Sequence, residues 1–264
     1  MTAYYYSLVM ALYFSTYIIF AAIMGQKKLI RFAAIKDFDN VLEYPADMKG
    51  QWQSFFKNEH PLVLELACGK GEYAVGLGKQ FPDKNFLGLD IKGNRMYIGA
   101  RYARENGLDN VAFLRTEIDQ IANYFAPGEV SDIWITFPDP QLRISKAKKR
   151  LTHPRFLRLY QQILAFGGTI NLKTDSPVLY RFTKMVIEIY GLALLKDYDH
   201  VYQQATETEL LTIKTHYEGL DIAASGRIHY LQFTLPIGAL PDKDAELKQL
   251  VIEQEAGSET VESE

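Results

Sequence analysis

From Pro61 onward, short β-branched or aliphatic runs alternate with longer stretches of helical period, and no other feature restricts the fold of this 264-residue chain as much. Strands that alternate with helices are joined by crossovers, so they pair in parallel and are covered on both faces. The pattern predicts strands over 62–67, 86–90, 111–115, 132–137 and 168–173, and helices over 72–80, 94–106, 155–165 and 178–190. Two late strands, 192–198 and 229–236, have no helical pattern between them, which predicts an antiparallel closing hairpin. The expected architecture is α/β, a mostly parallel seven-stranded sheet with an antiparallel closing strand.

With 48% hydrophobic residues the chain has enough apolar material for one such domain and no need of a second. Its single cysteine, Cys68, excludes an internal disulfide framework and any multi-cysteine metal cage, which suits the reducing cytoplasm. The formal charge of −3 hides an asymmetry, because residues 242–264 hold eight acids against two lysines. That tail carries −6 and the rest of the chain about +3, so the body is mildly basic. The tail, 237–264, is expected to be acidic and largely disordered, with a short helix near 245–255.

Residues 1–26 contain no charge, and 3–23 form an almost unbroken apolar and tyrosine-rich run long enough to span a bilayer. A basic start and a small-residue cleavage site, the marks of a secretory signal, are missing. Three readings are open: translation begins at Met24 and the leader is a mis-assigned start, the leader is a membrane anchor with Lys27, Lys28 and Arg31 on the cytoplasmic side, or it is a packed helix. The expected division is an apolar leader (1–23), an N-terminal basic arm or cap (24–60), the α/β domain (61–236) and the acidic tail.

Glu65-Leu66-Ala67-Cys68-Gly69-Lys70-Gly71 falls where a buried strand turns into a helix. Glycines such as Gly69 and Gly71 let the backbone approach a ligand at the helix N-terminus. The dinucleotide fingerprint is absent, since the spacing is A-x-G-x-G with an acid two residues ahead. This pattern favours a cationic, phosphate-free ligand such as S-adenosylmethionine over a pyrophosphate, the alternative being an ordinary tight turn. Asp90, 25 residues on at the end of the next strand, is suited to accept hydrogen bonds from ribose hydroxyls, or else forms a turn. Thr116, just past the third strand, lies where such folds meet an adenine, or else caps a helix.

The most specific segment is Trp134-Ile135-Thr136-Phe137-Pro138-Asp139-Pro140-Gln141-Leu142-Arg143, followed by Lys146, Lys148, Lys149, Arg150 and His153. A carboxylate between two prolines at the end of a central strand is held rigidly at the crevice of the sheet. The cations after it suit interactions with a phosphate backbone, the alternative being a solvated surface. The five histidines show no metal spacing, so no metal is expected.

In combination these motifs resemble the bacterial tRNA (guanine-N7)-methyltransferase family. The resemblance rests on the acid-led glycine turn, on Phe137-Pro138-Asp139-Pro140, on Lys149-Arg150-Leu151, on Thr174-Asp175, and on Thr215-His216-Tyr217-Glu218 followed by Gly226-Arg227. They occur in order from about Met24 to Pro236. The resemblance implies a Rossmann-like class I methyltransferase fold, with S-adenosylmethionine as cofactor and tRNA as partner. No protein partner is evident, and a membrane is involved only if the apolar leader is genuine.

It also implies cofactor contacts from Glu65, Gly69, Gly71, Asp90, Thr116 and Asp139, a catalytic Asp139, and substrate contacts from Arg143, Asp175, Thr215, His216, Tyr217 and Glu218. The implied product is 7-methylguanosine in tRNA, at the variable-loop guanosine of position 46. The chain departs from the family pattern at Ala67, which replaces a glycine and asks for a slightly different backbone, at Gln141 in place of tryptophan, and at Arg143 in place of lysine. Two rival readings are a methyltransferase acting on amino groups or other nucleic-acid positions, which needs an aromatic where Gln141 stands, and a non-catalytic RNA-binding relative.

Overall fold

Five residues of continuous burial, Leu62–Leu66, form the strand around which the rest is laid down, and Glu65 is its one charged member. In the computed structural model of the protein, residues 26, 28–204, 209–216, 218–220 and 222–261 are described. The leader 1–23, the start candidate Met24 and the predicted substrate residue Tyr217 lie outside the described residues.

The elements run β1 (Val41–Glu43), α1 (Trp52–Phe56), β2 (Leu62–Leu66), α2 (Glu72–Gln80), β3 (Asn85–Asp90), α3 (Gly93–Glu105), β4 (Val111–Arg115) and β5 (Val130–Thr136). They continue with α4 (Pro154–Gln161), β6 (Leu164–Thr174), α5 (Pro177–Tyr190), β7 (Ala193–Tyr198), α6 (Val201–Gln204), α7 (Glu209–Thr212), β8 (His229–Thr234) and α8 (Asp244–Val261). Among the described residues they make one eight-stranded sheet of order β1-β4-β3-β2-β5-β6-β8-β7. The first six of these pair in parallel; β8 runs antiparallel to β6, and β7 antiparallel to β8. The fold is Rossmann-like, with antiparallel strands closing it.

Helices cover both faces. One apolar cluster joins α2 and α3 to the sheet through Tyr73, Leu77, Met96 and Ala100, and a larger one joins α1, α4, α5 and α8 through Trp52, Leu157, Phe182 and Leu247. Burial on both sides explains why the central strands are almost uniformly apolar.

The sheet has eight strands where the sequence predicted seven. The additional strand, β1, is three residues long, too short for a pattern to stand out. It is fixed at the edge by pairing with β4 and by an ion pair between Glu43 and Arg115. The helix α1 also escaped the pattern reading, although Trp52, Phe55 and Phe56 stand at the i, i+3, i+4 spacing of a helical face. Trp52 is 1% exposed, stacks on Phe125 and donates from Nε1 to the Tyr124 carbonyl at 2.8 Å. Two short helices, α6 and α7, occupy the stretch before β8 where none was expected.

The tail differs from expectation as well. Instead of a short helix in a largely disordered segment, α8 extends over 18 residues and buries Leu247 and Val251 against the body. Asp244 is the clasp. It pairs with Arg158 at 2.8 Å and accepts from the Tyr190 hydroxyl at 2.6 Å, and these partners hold its carboxyl below the usual range. Among the described residues, no helix is long and apolar enough to cross a membrane, and no cluster of His, Cys, Asp and Glu is placed to hold a metal ion.

Candidate active site

The sheet order reverses direction at β2, from which the chain winds outward through β3 and β4 before crossing back to β5. In open α/β sheets, a crevice opens beyond the carboxyl ends of the strands at such a point. Glu65 bridges it. Its Oε1 accepts from Thr136 Oγ1 of β5 at 2.7 Å, and its Oε2 accepts from the Ala74 amide in the first turn of α2 at 2.8 Å. Burial pushes the Glu65 carboxyl up to about 8, against the two hydrogen bonds and with help from the nearby Glu72 and Asp90 charges.

The turn after β2 is wound through three left-handed residues, Ala67 (φ 55°), Gly69 (φ 56°) and Gly71 (φ 70°). Gly71 is obligatory, because a Cβ there would lie 2.2 Å from the Phe113 ring. Ala67 holds the left-handed conformation without being glycine, at a cost of about 1–2 kcal/mol.

Asp90, at the end of β3, accepts from the Gly69 amide at 2.9 Å and from the Lys92 amide at 2.8 Å. It therefore shapes its own turn and also ties that turn to the glycine loop. Thr116 follows β4, is 1% exposed, and donates from its amide to the Asp90 carbonyl at 3.2 Å. It does not cap a helix, since the next helical turn begins after Glu117 and has no side-chain cap. Glu65, Gly69, Gly71, Asp90 and Thr116 thus form one connected rim.

A cationic, phosphate-free ligand fits the donors and acceptors of this rim. The buried carboxyl of Glu65 and the half-buried Asp90 supply acceptors, and no cationic side chain is among the rim residues.

Asp139 is exposed on the loop after β5, and its Oδ1 accepts from the Gln141 amide at 3.0 Å. Both Phe137 (φ 46°) and Gln141 (φ 49°) are left-handed, so non-glycine residues in a strained conformation bracket the Pro-Asp-Pro turn. Such strain persists only where the surroundings impose it. Arg150 holds the Gln141 end of the turn. Its guanidinium donates from Nε to the Pro140 and Gln141 carbonyls at 3.2 and 3.3 Å and from Nη2 to Gln141 at 3.2 Å, lying 4.5 Å from the Phe182 ring centre.

Arg150 is 2% exposed, which corrects its assignment to the phosphate backbone. A buried guanidinium committed to carbonyls cannot reach a nucleic acid. Arg143, Lys146, Lys148 and Lys149 do reach the surface, on the loop and the helical turn Ile144–Lys149.

On the far side, Asp175 follows β6 and accepts from the Ala223 amide at 3.2 Å. Thr215, 9% exposed, accepts from the Glu218 amide at 3.2 Å, and the His216 amide donates to Glu72 Oε2 on α2 at 2.7 Å. The segment thereby rests on the helix that the glycine turn begins. Glu218 itself is committed to Lys173 and to the Tyr202 hydroxyl. Lys173 and Glu72 were not singled out in the sequence, and Thr136 was read only as part of the segment leading into Phe137-Pro138-Asp139-Pro140. The available signal for Lys173 was a charge at the end of the predicted strand 168–173, two residues after the polar Asn171.

Residues 59–230 match a family model described as a putative methyltransferase. The chain is 46% identical over 236 residues to the tRNA (guanine-N(7)-)-methyltransferase of Porphyromonas gingivalis, covering 85% of this chain and 94% of that protein. It is 46% identical over 235 residues to the protein of the same name from Bacteroides thetaiotaomicron, covering 85% and 92%. Among solved structures, the 16S rRNA methyltransferase KamB shares the fold, with a TM-score of 0.55 at 14% identity over 71% of this chain and 94% of that one. On its fold, its motifs and its identity to these relatives, the chain belongs to the tRNA (guanine-N(7)-)-methyltransferase family.

Proposed function

We propose that this protein transfers a methyl group from S-adenosylmethionine to N7 of a guanine in tRNA, the variable-loop guanosine at position 46, in the cytoplasm. The observation that carries the reading is the convergence of Glu65, Asp90, Asp139 and Asp175 from four strand ends on one crevice, beside exposed cations at Arg143, Lys146, Lys148 and Lys149. The names of the two bacterial relatives support guanine N7 of tRNA as the target. Residues 61–236 are the transferring domain, and 24–60 are its N-terminal arm, which adds the edge strand β1 to the sheet beside β4.

Bound S-adenosylmethionine supplies an electrophilic methyl group on a sulfonium. Glu65, Gly69, Gly71, Asp90 and Thr116 would hold it, with Asp90 suited to accept from ribose hydroxyls and Thr116 to meet the adenine. Guanine N7 offers a lone pair and carries no proton, so the acceptor needs no general base. It needs alignment, and a counter-charge as the base becomes cationic. Asp139 and Asp175 supply these by accepting from guanine N1 and N2 hydrogens, with Asp139 nearest the developing charge. Arg143 and the Thr215–His216 segment close on the substrate, and the three lysines attract the RNA backbone.

The test is methyl transfer to unmodified tRNA by the wild type and by Asp139→Ala, with the product mapped by cleavage specific for 7-methylguanosine. Methylation at an exocyclic amine, or none by the wild type, overturns the reading.

A further inference from the structure

Lys173 is 0% exposed, near the carboxyl end of β6, yet it bears an ammonium. Nζ donates to the Leu211 carbonyl at 2.8 Å, the Ile213 carbonyl at 3.0 Å and Glu218 Oε2 at 2.9 Å. The Glu218 side chain is 5% exposed and also accepts from the Tyr202 hydroxyl. The rings of Tyr73, Phe137 and Tyr202 stand 5.7, 5.7 and 5.9 Å from Nζ. Burial lowers the Lys173 ammonium from its usual range, and Glu218 opposes that shift. An ammonium with all three donors used and a carboxylate beside it is satisfied, whereas either partner alone would be a buried uncompensated charge.

The same residue has a second hold. Its main-chain carbonyl accepts from the Phe137 amide at 2.8 Å, directly before Pro138-Asp139-Pro140. Lys173 therefore bonds the strained Asp139 loop through its backbone and the Leu211–Glu218 stretch through its side chain. It ties together two sides of the crevice that come from distant parts of the chain.

We propose that Lys173 is a positioning residue that latches the Thr215-bearing segment to the Asp139 loop, and that Glu218 serves the site through Lys173 and not by touching the guanine. The proposal rests on the reading of this crevice as the guanine site. It also accounts for Glu218, assigned by resemblance to substrate, being turned into the protein.

The test is a cycle of isosteric variants in the full chain: Lys173→Met, Glu218→Leu and the two combined. Single-turnover methylation, tRNA and cofactor affinity, and hydrogen exchange over 211–218 are followed for each. Each single variant strands a charge. Each is expected to slow methylation by about tenfold or more and to speed exchange in the segment, while cofactor affinity changes by less than about twofold. The combined variant removes both charges, so it should methylate faster than either single variant and regain part of the exchange protection. A combined variant as slow as Glu218→Leu alone would mean that Glu218 acts on the substrate directly and would overturn the latch. Full activity in Lys173→Met would do the same. The exchange arm needs no tRNA: if it shows the rescue while even the wild type forms no 7-methylguanosine, the substrate reading fails and the latch stands.

Discussion

The Asp90 carboxylate accepts the Gly69 amide at 2.9 Å, so the acid that ends β3 fixes the conformation of the loop that ends β2. Asp90→Ala should therefore have two effects. Cofactor affinity should fall by about tenfold or more, as expected when a charged partner to hydroxyls, worth about 1.5–3 kcal/mol, is removed. The melting temperature should fall too, because the Gly69 and Lys92 amides lose their acceptor. Affinity for tRNA should be nearly unchanged. Calorimetry on both ligands decides, and unaltered cofactor affinity would remove Asp90 from the cofactor site.

Glu65 predicts a pH dependence with a definite sign. Its carboxyl stands at about 8 in the folded, cofactor-free protein against 4.5 in the unfolded chain. The unfolded state therefore loses its proton first as pH rises. The stability contributed by Glu65 is full below pH 4.5, declines between 4.5 and about 8, and is flat above. Glu65→Gln should remove that decline from the melting temperature. In the wild type, a cationic ligand beside Glu65 should draw the carboxyl back to its charged form, so binding near neutrality should release a proton. Binding heats that do not vary with the ionisation enthalpy of the buffer would sink the idea.

The basic run divides into two roles that salt can separate. Neutralising Lys146, Lys148 and Lys149 should weaken tRNA binding, and the slope of log affinity against log salt should shrink by about one for each phosphate left without its lysine. Arg150→Met should leave that slope alone. It should instead destabilise the protein by about 1–3 kcal/mol and slow methylation, because the Pro140 and Gln141 carbonyls lose their donor and the strained turn relaxes. A flattened salt slope in Arg150→Met would return Arg150 to the RNA interface.

Much of this was legible in the sequence because the βα units have strong periodicity and the site residues sit at their ends. The glycine turn, Asp90 and the Pro-Asp-Pro turn announce themselves by residue type at fixed places in that pattern. Arg150 and Lys173 did not. In sequence, a buried cation looks like a solvated one, and only the fold shows whether carbonyls or water surround it. The edge strand β1 was invisible for another reason: three residues carry no period, and its place is set by Glu43 and Arg115, 72 residues apart. The docked tail helix was masked by its acidic composition, which outweighed Leu247 and Val251 as a signal.

The chemistry itself is tested at Asp139, whose carboxylate is exposed at the crevice and whose Oδ1 holds the Gln141 amide. Asp139→Asn retains an oxygen for that amide, so the turn and the fold should survive, and tRNA affinity should change little. What disappears is the charge facing a purine that becomes cationic. Removing one preorganised electrostatic partner of this kind typically takes away about 2.7–4 kcal/mol of transition-state stabilisation, roughly a hundred- to thousandfold in rate. Single-turnover methylation at saturating tRNA and cofactor should show that drop directly. Because N7 has no proton to lose, the Asp139→Asn rate should follow the same pH profile as the wild type, merely displaced downward. A profile that loses its acidic limb in the variant would make Asp139 a proton acceptor, and the target would then be a protonated nitrogen and not N7.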